Sequence, residues 1–271
     1  MGDKVRGNLI IIGGAEDKKD ECSILKEVVS IAGGREAHLA ILTTATQLPE
    51  EVGQQYRDVF RRLGVERISV LNIDSRATAN DPQNANIINQ ATTIFFTGGD
   101  QLRITSILGG TLVNQSLHNA YRKGVLIVGT SAGASVMSST MIVEGNEKEA
   151  ARKCTLKMAP GLGLLDEVII DQHFGQRGRL GRLLCGIAQN PYMLGVGIDE
   201  DTAIRVFPDD YFEVIGSNAV TVLDGRTISH SNVSETRPDE LLAISNVTLH
   251  IVPQGYRFDM KDRKVYRSPK P

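Results

Sequence analysis

The chain has 271 residues, 41% of them hydrophobic, and its 30 Lys and Arg against 32 Asp and Glu leave a formal net charge of −2. This composition is typical of a globular protein of one or two domains, and the near-neutral charge argues against a nucleic-acid-binding protein, which needs a basic excess. The apolar runs are shorter than the roughly 20 residues that cross a bilayer, and residues 1–7 lack the apolar stretch of a secretory signal. Because the three cysteines also lack metal-binding spacing, we expect a cytoplasmic protein with no membrane segment and no metal.

Strand-like and helix-like patterns alternate along residues 1–200. Apolar residues at helical spacing predict helices over Asp17–Ala32, Pro49–Leu63, Gln101–Leu108 and Thr111–Lys123. Short apolar runs between them predict strands over Leu9–Ile12, His38–Thr43, Arg67–Ile73, Thr92–Thr97 and Val125–Gly129. Strands that are apolar without interruption are buried on both faces, so we predict a doubly wound α/β core with a mostly parallel sheet flanked by helices.

The pattern changes after residue 200 to short alternating runs separated by turns. These runs predict strands over Ile204–Phe207, Tyr211–Ile215, Ala219–Leu223, Thr227–Ser229, Leu241–Ser245 and Val247–Val252. Asp224-Gly225 predicts a two-residue hairpin between two of them. Because no linker comes before residue 201, we predict one domain over 1–271, in which 201–260 extend the sheet with antiparallel strands and 261–271 form a frayed polar tail.

The motif Gly129-Thr130-Ser131-Ala132-Gly133 follows a predicted strand and precedes a predicted helix, Ala134–Met141. G-x-S-x-G in this setting is typical of a nucleophile elbow, a sharp turn that presents a serine at a helix N-terminus. The backbone N–H of Ala132 would then face the oxyanion that forms when Ser131 attacks a carbonyl. The alternative is a tight turn with a helix-capping serine.

A nucleophilic serine needs a base, and His173 is the best placed of the five histidines. It follows the apolar run Glu167–Ile170, at the carboxyl end of a strand, where active sites of parallel sheets lie. Glu200 follows a second apolar run, Leu194–Ile198, and we choose it as the acid that orients His173. Its neighbours Asp199 and Asp201 are then only solvated charges.

The chain order of these residues separates two folds. In an α/β-hydrolase the acid comes before the histidine, so the base would be His230 or His250, and neither follows an obvious parallel strand. The order Ser131, His173, Glu200 is instead that of the class I glutamine amidotransferase-like fold.

Two further segments suggest how a substrate is held. Gly99, in the loop Thr97-Gly98-Gly99-Asp100, could donate a second N–H to the oxyanion, although Asp100 also stands where a helix cap belongs. After His173, the run that contains Arg177, Arg179 and Arg182 suggests an acidic substrate, because arginine binds carboxylates with two hydrogen bonds. A solvated charge run is the alternative.

Four of these segments, 97–101, 129–134, 171–174 and 199–203, resemble sequence blocks of the serine peptidase family that includes aspartyl dipeptidase and cyanophycinase. The resemblance extends from Asn8 to about Val252. Residues 171–182 and the length are most similar to the cyanophycinase branch. This resemblance implies the class I glutamine amidotransferase-like fold.

The resemblance also implies an activity. We expect a serine-type exopeptidase that hydrolyses the poly-aspartate backbone of cyanophycin to β-Asp-Arg dipeptides through an acyl-enzyme, as a homodimer without a cofactor. Aspartyl or isoaspartyl dipeptidase remains the alternative. The resemblance carries catalytic roles to Ser131, His173 and Glu200 and oxyanion roles to Gly99 and Ala132. The residues that it implies for substrate binding are Asp100, Gln101, Asp171, Gln172, Arg177, Arg179 and Arg182.

Overall fold

The computed structural model describes residues 8–153 and 156–268, so Cys154 lies outside the described residues. A nine-stranded sheet runs through the centre, and one half of it is parallel in the order β1-β5-β4-β2-β3. These five strands are β1 (Leu9–Ile12), β2 (His38–Leu42), β3 (Arg67–Leu71), β4 (Thr93–Phe96) and β5 (Leu126–Thr130). Each lies within a residue or two of its predicted position. The predicted α/β class with a largely parallel sheet flanked by helices is therefore confirmed.

Helices cover both faces of this sheet because successive side chains of each strand point to opposite sides. Ile10 and Ile12 pack with one apolar cluster, which includes α1 and α2, whereas Leu9 and Ile11 pack with another, which includes α5 and α6. The helices are α1 (Ser23–Ala32), α2 (Pro49–Arg62), α3 (Arg76–Ala79), α4 (Pro82–Gln90), α5 (Gln101–Leu108), α6 (Leu112–Arg122), α7 (Ala132–Ser135), α8 (Phe174–Arg177) and α9 (Leu180–Gln189).

The first helix begins later than the sequence pattern predicts. The Asp17 carboxylate accepts hydrogen bonds from the backbone N–H groups of Lys19, Asp20 and Cys22, at 2.8, 3.0 and 2.8 Å. Aspartate side chains compete with helix formation in this way, and the turn that results delays α1 to Ser23.

Four antiparallel strands continue the nine-stranded sheet beyond β1. In spatial order they are β10 (Thr202–Val206), β11 (Tyr211–Gly216), β16 (Tyr256–Asp259) and β17 (Lys264–Arg267). An antiparallel C-terminal extension is therefore confirmed, but β17 corrects the expectation of a frayed tail over 261–271. Residues 264–267 pair with β16, and residues 269–271 lie outside the described part of the chain.

A second, four-stranded sheet was not predicted. Its order is β15-β12-β9-β8, with β8 (Val168–Asp171) and β9 (Leu194–Ile198) parallel and β12 (Ala219–Asp224) and β15 (Thr248–Pro253) antiparallel to their neighbours. The predicted hairpin at Asp224-Gly225 is wrong because β12 belongs to this second sheet. Strand β12 pairs on both sides, with β9 and β15, so it leaves no edge for a strand over Thr227–Ser229. The chain instead continues to β13 (His230–Ser231), which pairs with β14 (Ile244–Ser245).

The helix predicted over Ala134–Met141 is also shorter, because α7 ends at Ser135. The N–H groups of Leu162 and Leu164 bind the carbonyls of Val136 and Met137, at 2.6 and 2.9 Å, and so occupy acceptors that a longer helix would need. The chain then forms β6 (Thr140–Gly145), which pairs with β7 (Leu156–Pro160). Among residues 8–153 and 156–268, no helix has the length and apolar character needed to cross a membrane.

Candidate active site

Ser131 occupies a strained turn between β5 and α7. Its φ of 53° and ψ of −111° lie outside the regions that non-glycine residues usually adopt. The glycines on either side make the turn possible, since a Cβ on Gly129 would lie 2.2 Å from the Gly133 carbonyl oxygen and a Cβ on Gly133 2.5 Å from the Phe96 carbonyl oxygen. The strand, the sharp turn and the helix occur in the order that the G-x-S-x-G motif predicts.

Three of the predicted residues form a continuous chain of contacts. Ser131 Oγ lies 3.0 Å from His173 Nε2, and His173 Nδ1 lies 2.6 Å from Glu200 Oε1. The His173 side chain is 11% exposed and that of Glu200 is 35% exposed, so the imidazole is enclosed and the carboxylate reaches solvent. His173 contacts the Ser131 hydroxyl, whereas His250 packs in β15 against Phe258.

A glycine loop after β1 holds His173 in place. The His173 N–H donates to the Gly13 carbonyl at 2.8 Å, and its φ of 48° turns the imidazole back over this loop. A Cβ on Gly14 would lie only 2.4 Å from the His173 ring. No local sequence pattern marks this contact between the Gly-Gly pair and the predicted base, because the two segments are distant in the chain.

The acidic run after β9 separates into three different environments. Asp199 Oδ1 accepts the Gly175 N–H at 2.8 Å, and Asp201 Oδ1 accepts the Asp17 N–H at 2.9 Å. Each of these two carboxylates therefore joins two loops, which corrects the expectation that both are only solvated charges. Glu200 alone of the three contacts His173, which agrees with its choice over its neighbours.

Burial lowers the pKa of His173 below its ordinary value, because an apolar environment disfavours the imidazolium. The hydrogen bond and the charge of Glu200 raise this pKa, and the positive charges of Arg177 and Arg179 lower it. The net lowering keeps His173 neutral at neutral pH. A neutral imidazole can accept a proton from a hydroxyl, which is the state that a general base requires.

The glycine loop after β4 lies beside Ser131. A Cβ on Gly98 would lie 3.4 Å from the Ser131 Cβ, and Gly99 adopts a φ of 143° with no room for a side chain, since a Cβ there would lie 2.2 Å from the Ala45 carbonyl oxygen. The backbone of this loop therefore approaches the serine closely. The same loop borders an open cavity of about 670 Å³, which is also lined by Ala45 and Arg103 among others.

Asp100 and Gln101 have structural contacts of their own. Asp100 Oδ1 accepts the N–H groups of Leu102 and Arg103, at 2.8 and 3.4 Å, so it caps α5 as the alternative interpretation proposed. Gln101 Nε2 donates to the carbonyls of Ile142 and Val143 in β6, at 3.0 and 2.7 Å. Both side chains hold the loop of Gly99 in place, and neither amide nor carboxylate is left fully open for a ligand.

The arginines after His173 are not alike. Arg182 and Asp171 are buried and form a two-pronged ion pair, in which Arg182 Nε lies 2.7 Å from Asp171 Oδ2. The resemblance implies substrate binding for both residues, but in this structure each already neutralises the other. Arg177 is the accessible one, with its side chain 46% exposed.

Glu147 is a charged residue of this cluster that sequence reasoning missed. Its Oε1 lies 3.1 Å from Arg179 Nε and 3.5 Å from Arg177 Nη1, and its side chain is 39% exposed. The hydrogen bond from Arg179 holds the pKa of Glu147 below its ordinary value, so the carboxylate is charged at neutral pH. Beside it, Arg179 Nη1 donates to the Gln172 carbonyl at 2.6 Å, and the buried Gln172 Oε1 has no hydrogen-bond partner among the described residues. This cluster of side chains thus presents both signs of charge and one acceptor that no described residue satisfies.

The described residues, 8–153 and 156–268, contain no group of three or more His, Cys, Asp or Glu side chains that could hold a metal ion.

The sequence of this chain is similar to those of known peptidases. The model of peptidase family S51 matches residues 9–215, which include Ser131, His173 and Glu200. A cyanophycinase from Geminocystis herdmanii is 38% identical over 262 residues, which cover 96% of this chain and 96% of that relative. A cyanophycinase from Trichormus variabilis is 38% identical over 95% of this chain and 87% of its own length.

A solved structure shows the same fold. The peptidase from an acI-B1 Actinobacterium matches with a TM-score of 0.62 at 22% identity, over 91% of this chain and 98% of that one. The family model matches residues 9–215, and the relatives span almost the whole chain. The chain belongs to peptidase family S51.

Proposed function

We propose that the chain is a serine exopeptidase that hydrolyses the poly-aspartate backbone of cyanophycin and releases β-Asp-Arg dipeptides. The observation that carries this proposal is the contact chain from the Ser131 hydroxyl to His173 and on to Glu200, at 3.0 and 2.6 Å. The substrate is suggested by the relatives named cyanophycinase, which match at 38% identity over 96% of the chain.

In this proposal the turn at Ser131 is a nucleophile elbow. His173 Nε2 takes the hydroxyl proton as Ser131 Oγ attacks the scissile carbonyl, and it then gives that proton to the departing amine. Glu200 accepts the Nδ1–H of His173 and so fixes the tautomer and the ring orientation. A water molecule activated by His173 hydrolyses the acyl-enzyme and frees Ser131.

The backbone N–H groups of Ala132 and Gly99 are the proposed oxyanion donors. Ala132 is the first residue of α7, and Gly99 belongs to the loop that approaches Ser131 from the other side. Donors placed before the reaction stabilise the negative charge that develops on the carbonyl oxygen without further reorganisation.

Substrate selection rests on the charges of the neighbouring pocket. Every unit of cyanophycin carries a carboxylate and a guanidinium, so its site needs both signs of charge. We assign the accessible Arg177 to a substrate carboxylate and the half-exposed Glu147 to the guanidinium, with the unpaired Gln172 Oε1 as an additional acceptor. The ion pair of Asp171 and Arg182 forms the wall behind them, and Arg179 holds Glu147 and Gln172 in place. An ordinary peptide does not carry a carboxylate and a guanidinium in every unit, so it would make fewer of these contacts and bind more weakly.

A cytoplasmic homodimer that acts on cyanophycin granules belongs to the same proposal, and its support is the family resemblance. Sedimentation of the purified protein tests the dimer directly, because a monomer of the expected mass would contradict it.

The decisive experiment is product analysis by mass spectrometry after digestion of insoluble cyanophycin. We expect solubilisation with β-Asp-Arg as the main product, and no product from Ser131→Ala, which should keep its fold. Hydrolysis of Asp-X dipeptides without attack on the polymer would instead indicate an aspartyl dipeptidase. Full activity of Ser131→Ala would remove the proposed mechanism altogether.

A further inference from the structure

A buried carboxylate lies directly behind the Ser131 turn. Glu16 is only 4% exposed, and its Oε2 accepts the Thr130 hydroxyl at 2.6 Å. Its Oε1 accepts the Tyr56 hydroxyl at 2.5 Å and pairs with Lys18 Nζ at 3.0 Å. Both oxygens are therefore engaged. The partners come from three separate parts of the chain, so this side chain joins the loop after β1 to α2 and to the end of β5.

Thr130 is the residue immediately before Ser131. A strained backbone conformation persists only where its surroundings leave it no alternative. The Ser131 N–H is held by the Ile12 carbonyl at 3.1 Å, and the Thr130 side chain is held by Glu16. These contacts hold the chain at the start of the turn.

The same segment, residues 13–17, also contacts the parts of the chain that carry the base and the acid. The Gly13 carbonyl accepts the His173 N–H at 2.8 Å, and the Gly14 carbonyl accepts the Asp201 N–H at 3.0 Å. Glu16 adds the remaining connection, to the residue beside the nucleophile. This segment therefore contacts all three of the chain segments that meet at the site.

We propose that Glu16 is a positioning residue which, through the Thr130 hydroxyl, holds Ser131 at the distance and angle from His173 that proton transfer requires. This inference rests on the proposed role of Ser131 as the nucleophile. Glu16 does not touch the reacting atoms. Lys18 supplies the compensating charge, since its ammonium group contacts the Glu16 carboxylate and lies 5.0 Å from the centre of the Tyr56 ring.

The test compares Thr130→Val with Thr130→Ser. Valine keeps the shape of threonine but cannot donate to Glu16, whereas serine keeps the hydroxyl. We expect Thr130→Val to lower kcat and the rate of Ser131 labelling by a serine-directed sulfonyl fluoride by about 10- to 100-fold, because small misplacements of a nucleophile have effects of this size. KM should change little. Thr130→Ser should restore both rates to within about threefold of the wild type, well inside the loss that misplacement causes.

Glu16→Gln should show the same direction as Thr130→Val, and the effects of the double variant should be less than multiplicative because both changes break one contact. Thr111→Val is the matched control. The buried Thr111 hydroxyl also donates a short hydrogen bond, to the Leu108 carbonyl at 2.6 Å, but it belongs to the cap of α6. This control should lower thermal stability and leave kcat unchanged.

Two results would overturn the inference. One is a Thr130→Val protein with wild-type kcat and labelling rate. The other is a Thr130→Ser protein as slow as Thr130→Val, because the hydroxyl would then be irrelevant. A failure of the proposed function looks different, since wild-type protein would then show neither labelling of Ser131 nor hydrolysis.

Discussion

His173 is the residue at which opposing effects on one pKa meet. Burial lowers it, as do Arg177 and Arg179, while Glu200 raises it. Because the net shift is downward from 6.5, the neutral base persists at more acidic pH than an exposed histidine would allow. The charge of Arg177 acts from a half-exposed position and is therefore screened by salt.

The pH dependence of Ser131 labelling by a sulfonyl fluoride checks this balance without a bound substrate. We expect a single acid limb with its midpoint below 6.5, the ordinary value for histidine. Arg177→Met removes a positive charge, so the midpoint should rise, whereas Glu200→Gln removes a negative charge, so it should fall. A wild-type midpoint above 6.5 would contradict the assignment of His173 as a desolvated base.

The sequence predicted individual site residues where a local pattern marks them. Ser131 has a motif, and His173 and Glu200 each follow an apolar strand, so these three could be chosen without a structure. Glu16 and Glu147 could not, because they are single carboxylates whose partners are distant in sequence. The pairing of Arg182 with Asp171 was missed for a related reason: a run of arginines does not reveal which of them are already neutralised.

At the scale of the element, the loop after β1 positions His173 in the same way as the turn between β5 and α7 positions Ser131. Gly14 has a φ of +97°, and a Cβ there would overlap the His173 ring. Gly64 has nearly the same φ, +96°, but a Cβ there would meet nothing within 4 Å. Comparing an alanine substitution at Gly64 with one at Gly14 therefore distinguishes the effect of backbone strain from the effect of displacing the imidazole.

We expect Gly64→Ala to lose roughly 1–2 kcal/mol of stability, the cost of a left-handed alanine, and Gly14→Ala to lose more because its Cβ also overlaps the His173 ring. Gly14→Ala should also lower kcat by about 100-fold because the ring must move, whereas Gly64→Ala should keep its kcat. Thermal unfolding and steady-state kinetics on both variants measure the two effects. Equal kcat values for the two variants would show that the loop does not hold the base.

Elements were predicted well where their pattern has only one solution. The parallel strands β1 to β5 alternate with amphipathic helices, and this arrangement determines their sheet. Strands β8 and β9 are equally apolar, but a strand buried on both faces carries no mark of which neighbours it pairs with. The sequence therefore placed them in the central sheet, although they belong to the second one.

At the scale of the whole molecule, the C-terminal hairpin of β16 and β17 is part of the core. Phe258 in β16 is fully buried, and its ring stacks on Phe212 in β11 with 5.4 Å between centroids. The segment 261–271 is mostly polar and basic, and for this reason the sequence indicated a frayed tail there. A strand at the edge of a sheet carries few apolar residues, because at most one of its faces is covered, so its sequence gives only a weak strand pattern.

Phe258→Ala should lower the free energy of unfolding by about 3–5 kcal/mol, as expected when a buried phenylalanine is truncated. Tyr266→Ala, at a 47% exposed position of β17, should cost less than about 1 kcal/mol. Chemical denaturation of both variants gives these values. If Phe258→Ala were no more costly than Tyr266→Ala, the hairpin would not contribute to the core.

The position of the site between two sheets has a consequence for how the protein would lose activity. Ser131 follows a strand of the nine-stranded sheet, whereas His173 follows β8 of the four-stranded sheet, and Glu200 lies on the short connection from β9 to β10. If the two sheets move apart, the Ser131 hydroxyl moves away from the His173 imidazole. Inactivation would then begin as a loss of alignment between these two side chains, in a molecule that still retains its strands and helices.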